Sequence, residues 1–159
     1  MEARFPLFEN EVTAKFIKRL IAVSAPGEKS SLSPVTQELV KIRASQINGC
    51  GVCVDMHTKE AAHAGESSVR LNLIAAWREA TVFTEAERAA LALAEEGTRI
   101  ADAHGGIGGE TWAAVRKHYD DDQIGSLITL LAVINAWNRL NVLAGSPAGD
   151  YQPGAWATA

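Results

Sequence analysis

Three observations predict an all-α fold for this chain. No segment alternates apolar and polar residues with period two over a β-branched run, so no strand is expected. Apolar residues recur instead at helical spacing. Helix start and stop residues, among them Ser33-Pro34, Asn48-Gly49 and Thr84-Glu85-Ala86-Glu87, separate those segments.

Taken in order, Asn10 caps a first helix with Val12, Phe16, Ile17, Leu20 and Ile21 on one face and Lys15, Lys18 and Arg19 on the other. It is expected to end near Ala25-Pro26-Gly27, before a polar loop from Glu28 to Leu32. Ser33-Pro34 restarts the chain with a capping hydroxyl and a proline at the first helical position. Val35, Leu39, Ile42 and Ile47 mark the buried face of that second helix, and Asn48-Gly49 stops it. A third helix runs to about Ala64, with Gly65 as its stop. Ser67 or Ser68 opens a short fourth through Val69, Leu71, Leu73 and Ile74, with Trp77 after it. Thr84 and Glu87 form a capping-box pattern for a fifth helix through Leu91 and Leu93 to Glu96, stopped by Gly97. Gly105 to Gly109 is a loop; with no strand before it and no Lys after it, it is no phosphate-binding fingerprint. A sixth helix covers about Glu110 to His118. Asp120 to Asp122 cap a long apolar helix from Gln123 to Leu143, and the tail from Gly145 to Ala159 reads as an extended arm.

The 159 residues suit one domain, over residues 1–159, and 47% apolar content excludes a disordered chain. A net charge of −4 with scattered basic residues gives no nucleic-acid footprint. No apolar run approaches the roughly 18 residues that span a bilayer, and the N-terminus lacks the plan of a secretory signal. The expected location is the cytoplasm, with neither nucleic acid nor membrane as a partner. There a lone cysteine pair serves catalysis, redox sensing or metal binding more often than it serves as a structural staple.

That pair is Cys50 and Cys53, and they are the two cysteines of the chain. If the segment opens a helix, about 100° per residue puts Cys50, Cys53 and His57 on one stripe. The second and third helices, joined by Asn48-Gly49, should form an antiparallel hairpin. Glu38 lies about ten residues before the turn and His57 about eight after it, a height difference of roughly 3 Å. An inward-facing Glu38 would therefore meet His57 and Cys53. Carboxylate, imidazole and thiol in that order make a thiolate near neutral pH. The plainer reading of Glu38 is a solvated helix carboxylate, and that of His57 a core histidine bonded to a carbonyl. His63, His104 and His118 have no comparable company and read as surface or packing residues.

A C-x-x-C pair admits several chemistries. Zinc needs four ligands, and His57 is the one obvious third, so zinc is disfavoured. A c-type haem needs His directly after the second cysteine, where this chain has Val54. A thioredoxin-like dithiol needs a βαβ setting, which a chain without strands lacks. Dithiol redox chemistry on a helical scaffold remains.

Glu38, Cys50, Cys53 and His57, with Asn48-Gly49 ahead and Gly65 after, resemble the core motif of the alkylhydroperoxidase (AhpD-like) branch of the carboxymuconolactone decarboxylase family. The core motif falls at about 34–65. The stretches Ala75 to Glu79, Phe83 to Glu85 and Ile134 to Leu140 are similar to a subgroup of that branch. The resemblance implies an AhpD-like helical bundle, a homo-oligomer (trimer or hexamer), and reduction of hydroperoxides. It implies that Cys53 attacks, Cys50 resolves, and Glu38 and His57 relay protons. The better-studied peroxidases carry a histidine directly before the second cysteine, where this chain has Val52. That departure removes one relay member. No bound organic cofactor or metal is expected. The expected partners are a hydroperoxide and a dithiol reductant, of lipoyl type by family analogy. Two alternatives stand beside this: a decarboxylase-type enzyme of the same superfamily, and a redox sensor or zinc-binding module.

The long helix Gln123 to Leu143 is apolar most of the way round, through Ile124, Leu127, Ile128, Leu130, Leu131, Val133 and Ile134. All-round burial is expected, with subunit contacts contributing, and Trp137 and Arg139 are of types enriched at interfaces.

Overall fold

The computed structural model describes residues 2–103 and 105–155. Its regular elements are all helical: α1 (Glu11–Glu28), α2 (Pro34–Asn48), α3 (Gly51–His63), α4 (Ser68–Leu73), α5 (Glu85–Thr98), α6 (Gly109–His118) and α7 (Asp121–Ala144). Short 3₁₀ turns at Ile74–Ala76 and Ile100–Asp102 complete the set. The reading of His104, and the last part of the tail (156–159), lie outside the described residues.

α2 is the central rod. It packs on α3, α5 and α7, while α1 lies along α7 and α6 against α5. On one side Val40 and Ala44 meet Ala90, Leu93, Leu127, Leu130, Leu131 and Ile134. On the other, Leu39 and Ile42 meet Ala61, Ile74, Trp77, Phe83 and Leu91. Each fully buried Leu or Ile contributes about 1.5–3 kcal/mol, so α2 is clamped from two sides and the hairpin it begins is held firmly.

Several caps follow the sequence. Asn10 accepts from Val12 N and Thr13 N at 3.1 and 3.2 Å. Thr84 with Glu87, and Asp120 with Gln123, form reciprocal capping boxes. Other expectations are corrected. Ser33 makes no capping side-chain bond; Gln37 reaches back instead, donating to Leu32 O at 2.9 Å and Glu28 O at 3.2 Å. α1 takes Pro26 into its last turn and runs on to Glu28, and α5 passes Gly97 to end at Thr98.

Helical periodicity misjudges the faces of two helices. In α1 the buried positions are Ile17, Leu20, Ser24 and Gly27, whereas Val12, Phe16 and Ile21 are exposed. Small residues set this rotation, because α1 approaches α7 closely at Gly27. A Cβ there would sit 2.8 Å from Thr129 Oγ1. In α2 Val35 is exposed and Ile47 half-buried, while polar Thr36, Gln37, Lys41, Arg43 and Ser45 are buried beside Leu39 and Ile42. A helix surrounded on three sides buries its polar residues too, provided each finds a partner.

α7 also departs from expectation. It is long and apolar enough to cross a membrane by length and composition, with mean hydropathy 1.4, so a stretch of spanning length exists after all. Its polar residues bond inward to other helices: Ser126 donates to Gly27 O at 2.7 Å, and Asn138 Nδ2 to Ser45 Oγ at 3.0 Å. That is the bonding of a core helix. Burial is not all-round within one copy, since Ile128, Val142 and Leu143 are exposed. Trp137 packs against the interior clusters, and Arg139 donates to Asn135 O at 3.1 Å.

Candidate active site

The site is built by one turn. Gly49 takes a left-handed conformation at φ 65°, which any side chain would strain. Gly49 N donates to Gln46 O at 3.3 Å and Cys50 N to Ser45 O at 3.0 Å, closing α2. α3 begins at once, with Cys50 as its N-cap residue. Both cysteines therefore sit where the unpaired N–H groups of a 13-residue helix concentrate positive potential.

Cys50 and Cys53 are joined in a disulfide with Cα atoms 5.4 Å apart. Both residues are 2% exposed. His57, one turn beyond Cys53, is also buried, and its Nδ1 lies 2.8 Å from Glu38 Oε2. The predicted residues thus meet as two pairs, Cys50 with Cys53 and His57 with a Glu38 turned inward from α2, and His57 follows Cys53 by one turn of α3. Burial pushes the Glu38 carboxyl up, but the hydrogen bond and charge of His57, and then Lys41, outweigh it and hold the group at about 2. An ionised carboxylate only accepts, so the ring nitrogen facing it donates. His63 is exposed at the end of α3 and His118 half-buried at the end of α6.

Sequence reasoning missed two neighbours of this quartet. Lys41 is buried, with Nζ 3.0 Å from Glu38 Oε1 and 3.7 Å from Glu28 Oε1. Its signal was available, since residues three apart share a helix face. Asn141 of α7 donates from Nδ2 to Cys53 Sγ at 3.7 Å and to Trp137 O at 3.0 Å. The carbonyl can only accept, which fixes the amide with its nitrogen toward both. Asn135, Asn138 and Asn141 form a polar stripe on α7, a signal lost in its apolar background. The same stripe docks the turn: Asn48 Nδ2 donates to Asn135 Oδ1 at 2.9 Å and Asn138 Oδ1 at 2.8 Å.

Beside Cys50 lies an open groove lined by Ser45, Gly49, Cys50, Val54, Ala148 and Gly149, among others. Its far wall is Ala148 and Gly149 of the tail, whose described part does not leave as an arm. Asp55 accepts from Gly149 N at 2.9 Å and Tyr151 N at 3.3 Å. Lys59 Nζ donates to Gly149 O at 2.8 Å and Tyr151 O at 3.0 Å. Glu60 accepts from Gly154 N at 2.7 Å and from the Tyr151 hydroxyl. Burial raises the Asp55 carboxyl, but Lys59 and the two backbone donors outweigh it and leave it lowered.

A second charged cluster stands on the opposite side of α2. Glu95 accepts from Arg43 Nε at 2.8 Å and Trp77 Nε1 at 3.0 Å, and pairs with Arg78. Burial raises its carboxyl, and these donors more than reverse that. With both arginines engaged and Trp77 packed in the core, it is a scaffold joint between α2, α5 and the segment after α4. Among the described residues no group of three or more His, Cys, Asp or Glu is placed to hold a metal ion.

An all-helical scaffold with a C-x-x-C disulfide at a helix N-terminus and a buried histidine paired to a half-buried glutamate defines the class. Residues 11–96 match the carboxymuconolactone decarboxylase family, and the chain belongs to it. Within that family it falls in the AhpD-like branch. It is 36% identical over 140 residues to the uncharacterized protein YdfG of Bacillus subtilis (strain 168), covering 88% of this chain and 94% of that one. The crystal structure of ATU0492 from Agrobacterium tumefaciens superposes with a TM-score of 0.87 at 34% identity, over 94% of this chain and all of that one. Its own function is unknown, though an antioxidant defence role as an AhpD protein has been put forward for it. The debrominase Bmp8 shares the fold at a TM-score of 0.74 and 18% identity, over 91% of this chain and 75% of that one.

Proposed function

We propose that this protein is a dithiol-dependent peroxidase that reduces alkyl hydroperoxides through a Cys50/Cys53 thiol–disulfide cycle. The observation that carries the reading is a disulfide whose inner sulfur lies one helical turn from a buried histidine paired to a carboxylate. In the reduced protein His57, oriented by Glu38, takes the Cys53 proton. The Cys53 thiolate attacks one peroxide oxygen; the S–O bond forms, the O–O bond breaks, and the alkoxide leaves as an alcohol with the proton from His57. Asn141 and the α3 N-terminus stabilise the thiolate. The Cys50 thiol then attacks the sulfenic sulfur, the disulfide forms and water leaves. An external dithiol restores both thiols by exchange. Both electrons pass through sulfur, so the cycle calls on no cofactor or metal.

The reductant is a dithiol, of lipoyl type by family analogy, and the working compartment is the cytoplasm. The exposed apolar residues Val12 and Phe16 of α1 and Ile128 and Leu143 of α7 favour a homo-oligomer, trimer or hexamer. Residues 1–159 act as a single domain in this reading. Mass measurement after one equivalent of an alkyl hydroperoxide tests the chemistry. The reduced protein should lose about two daltons as one disulfide forms, and neither Cys50→Ser nor Cys53→Ser should do so. An unchanged wild-type mass removes the proposal.

A further inference from the structure

Lys41 is a buried ammonium that the cycle above leaves without a task. It is 8% exposed, in the middle of the central helix. Lysine is seldom buried unless it is paired. The charged groups facing it are Glu38 on its own helix at 3.0 Å, Glu28 on α1 at 3.7 Å, and His57 on α3 through Glu38. On α5 the carboxylate of Glu95 lies across α2 from Lys41 and is committed to Arg43 and Arg78. α7 meets α2 here through the uncharged Asn138.

We propose that Lys41 is a positioning residue for the proton relay, acting through Glu38 on His57. It holds one carboxylate oxygen, Oε1, and so leaves Oε2 for His57 Nδ1–H and the ring's Nε2 as the atom that takes a proton. The assignment rests on the peroxidase reading for what that proton transfer serves. Its logic is charge balance. While His57 is protonated, Glu38 has two cationic neighbours. Once His57 is neutral and ready to act as a base, Lys41 is the cation that still balances the half-buried carboxylate. Without it the carboxylate would draw a proton back onto the pair, and the base would be withheld until higher pH. The geometry fits this division of labour, because the two oxygens of Glu38 point to different partners from different helices.

The test is the pH profile of alkylation of the reduced protein by iodoacetamide, mapped to Cys53 by mass spectrometry. In Lys41→Met the acid limb should move up by about one pH unit, so that alkylation near neutrality falls about tenfold. Lys41→Arg should restore the wild-type limb. Glu28→Gln, at the outer edge of the cluster, should move it the other way by leaving the ammonium wholly to Glu38. It also keeps the question open to measurement should Lys41→Met fail to fold. A Lys41→Met protein on the wild-type profile, or a Glu28→Gln protein shifted upward, overturns the assignment. These profiles decide the role of Lys41 whether or not hydroperoxide is turned over, so failure of turnover falls on the peroxidase reading alone.

Discussion

Asn141, 88 residues downstream of Cys53 in the chain, aims its amide nitrogen at the Cys53 sulfur from 3.7 Å. The same nitrogen is anchored to Trp137 O at 3.0 Å, so α7 offers the sulfur a donor of fixed orientation. A hydrogen bond to a charged group is worth about 1.5–3 kcal/mol. Asn141→Leu should therefore slow the reaction of reduced protein with alkyl hydroperoxide about tenfold or more, read by stopped flow. Asn141→Asp should be slower still, since a carboxylate would repel the thiolate. Equal rates in all three proteins would remove Asn141 from the chemistry.

Glu38 should leave a mark on acid stability. Its folded-state value of about 2 lies below the ordinary 4.5, so its contribution is present above about 4.5 and is lost as pH falls toward 2. Urea melts of wild type and Glu38→Gln across that range should show the wild type losing its advantage on the way down. Parallel stability curves would contradict this.

The scaffold joint at Glu95 makes a different prediction. Glu95→Leu leaves Arg43 buried without its anion, and breaking a buried pair from one side costs about 3–5 kcal/mol. Adding Arg43→Met should recover much of that loss in urea melts. Additive losses would mean that the two residues do not act as a pair.

The tail should be held by its latch on α3. Asp55→Asn removes the anion that Gly149 N and Tyr151 N share. Hydrogen exchange at those two amides should speed up by about tenfold, while the core of α2 keeps its protection. Unchanged exchange at both would show that other contacts secure the strap.

How much of this could be read from the chain alone divides by distance along it. The helices and their caps are local, and Asn10, Thr84 and Asp120 do what their side chains dictate. The height argument for Glu38 and His57 also holds, because a short turn makes a hairpin a calculable object. Burial was legible only in part: α1 turns Gly27 rather than Phe16 toward α7, and steric fit between helices distant in sequence is invisible to periodicity. Asn141 and the strap were missed for the same reason, being brought to the sulfurs by the far end of the chain. Lys41 is the exception. Its spacing from Glu38 was in plain view, but a charged residue on a helix reads as solvated until its burial is known.

The disulfide spans a sequence separation of only three. By chain-entropy reasoning so small a ring stabilises by about 2 kcal/mol, against about 4.7 for a loop of 100 residues. Reduction should thus lower the melting temperature by less than about 8 °C. The clamps that keep α2 in place lie elsewhere, in apolar contacts indifferent to electrons. The bundle can serve as one unchanging mould for both oxidation states, gaining and losing a covalent bond without having to refold around it.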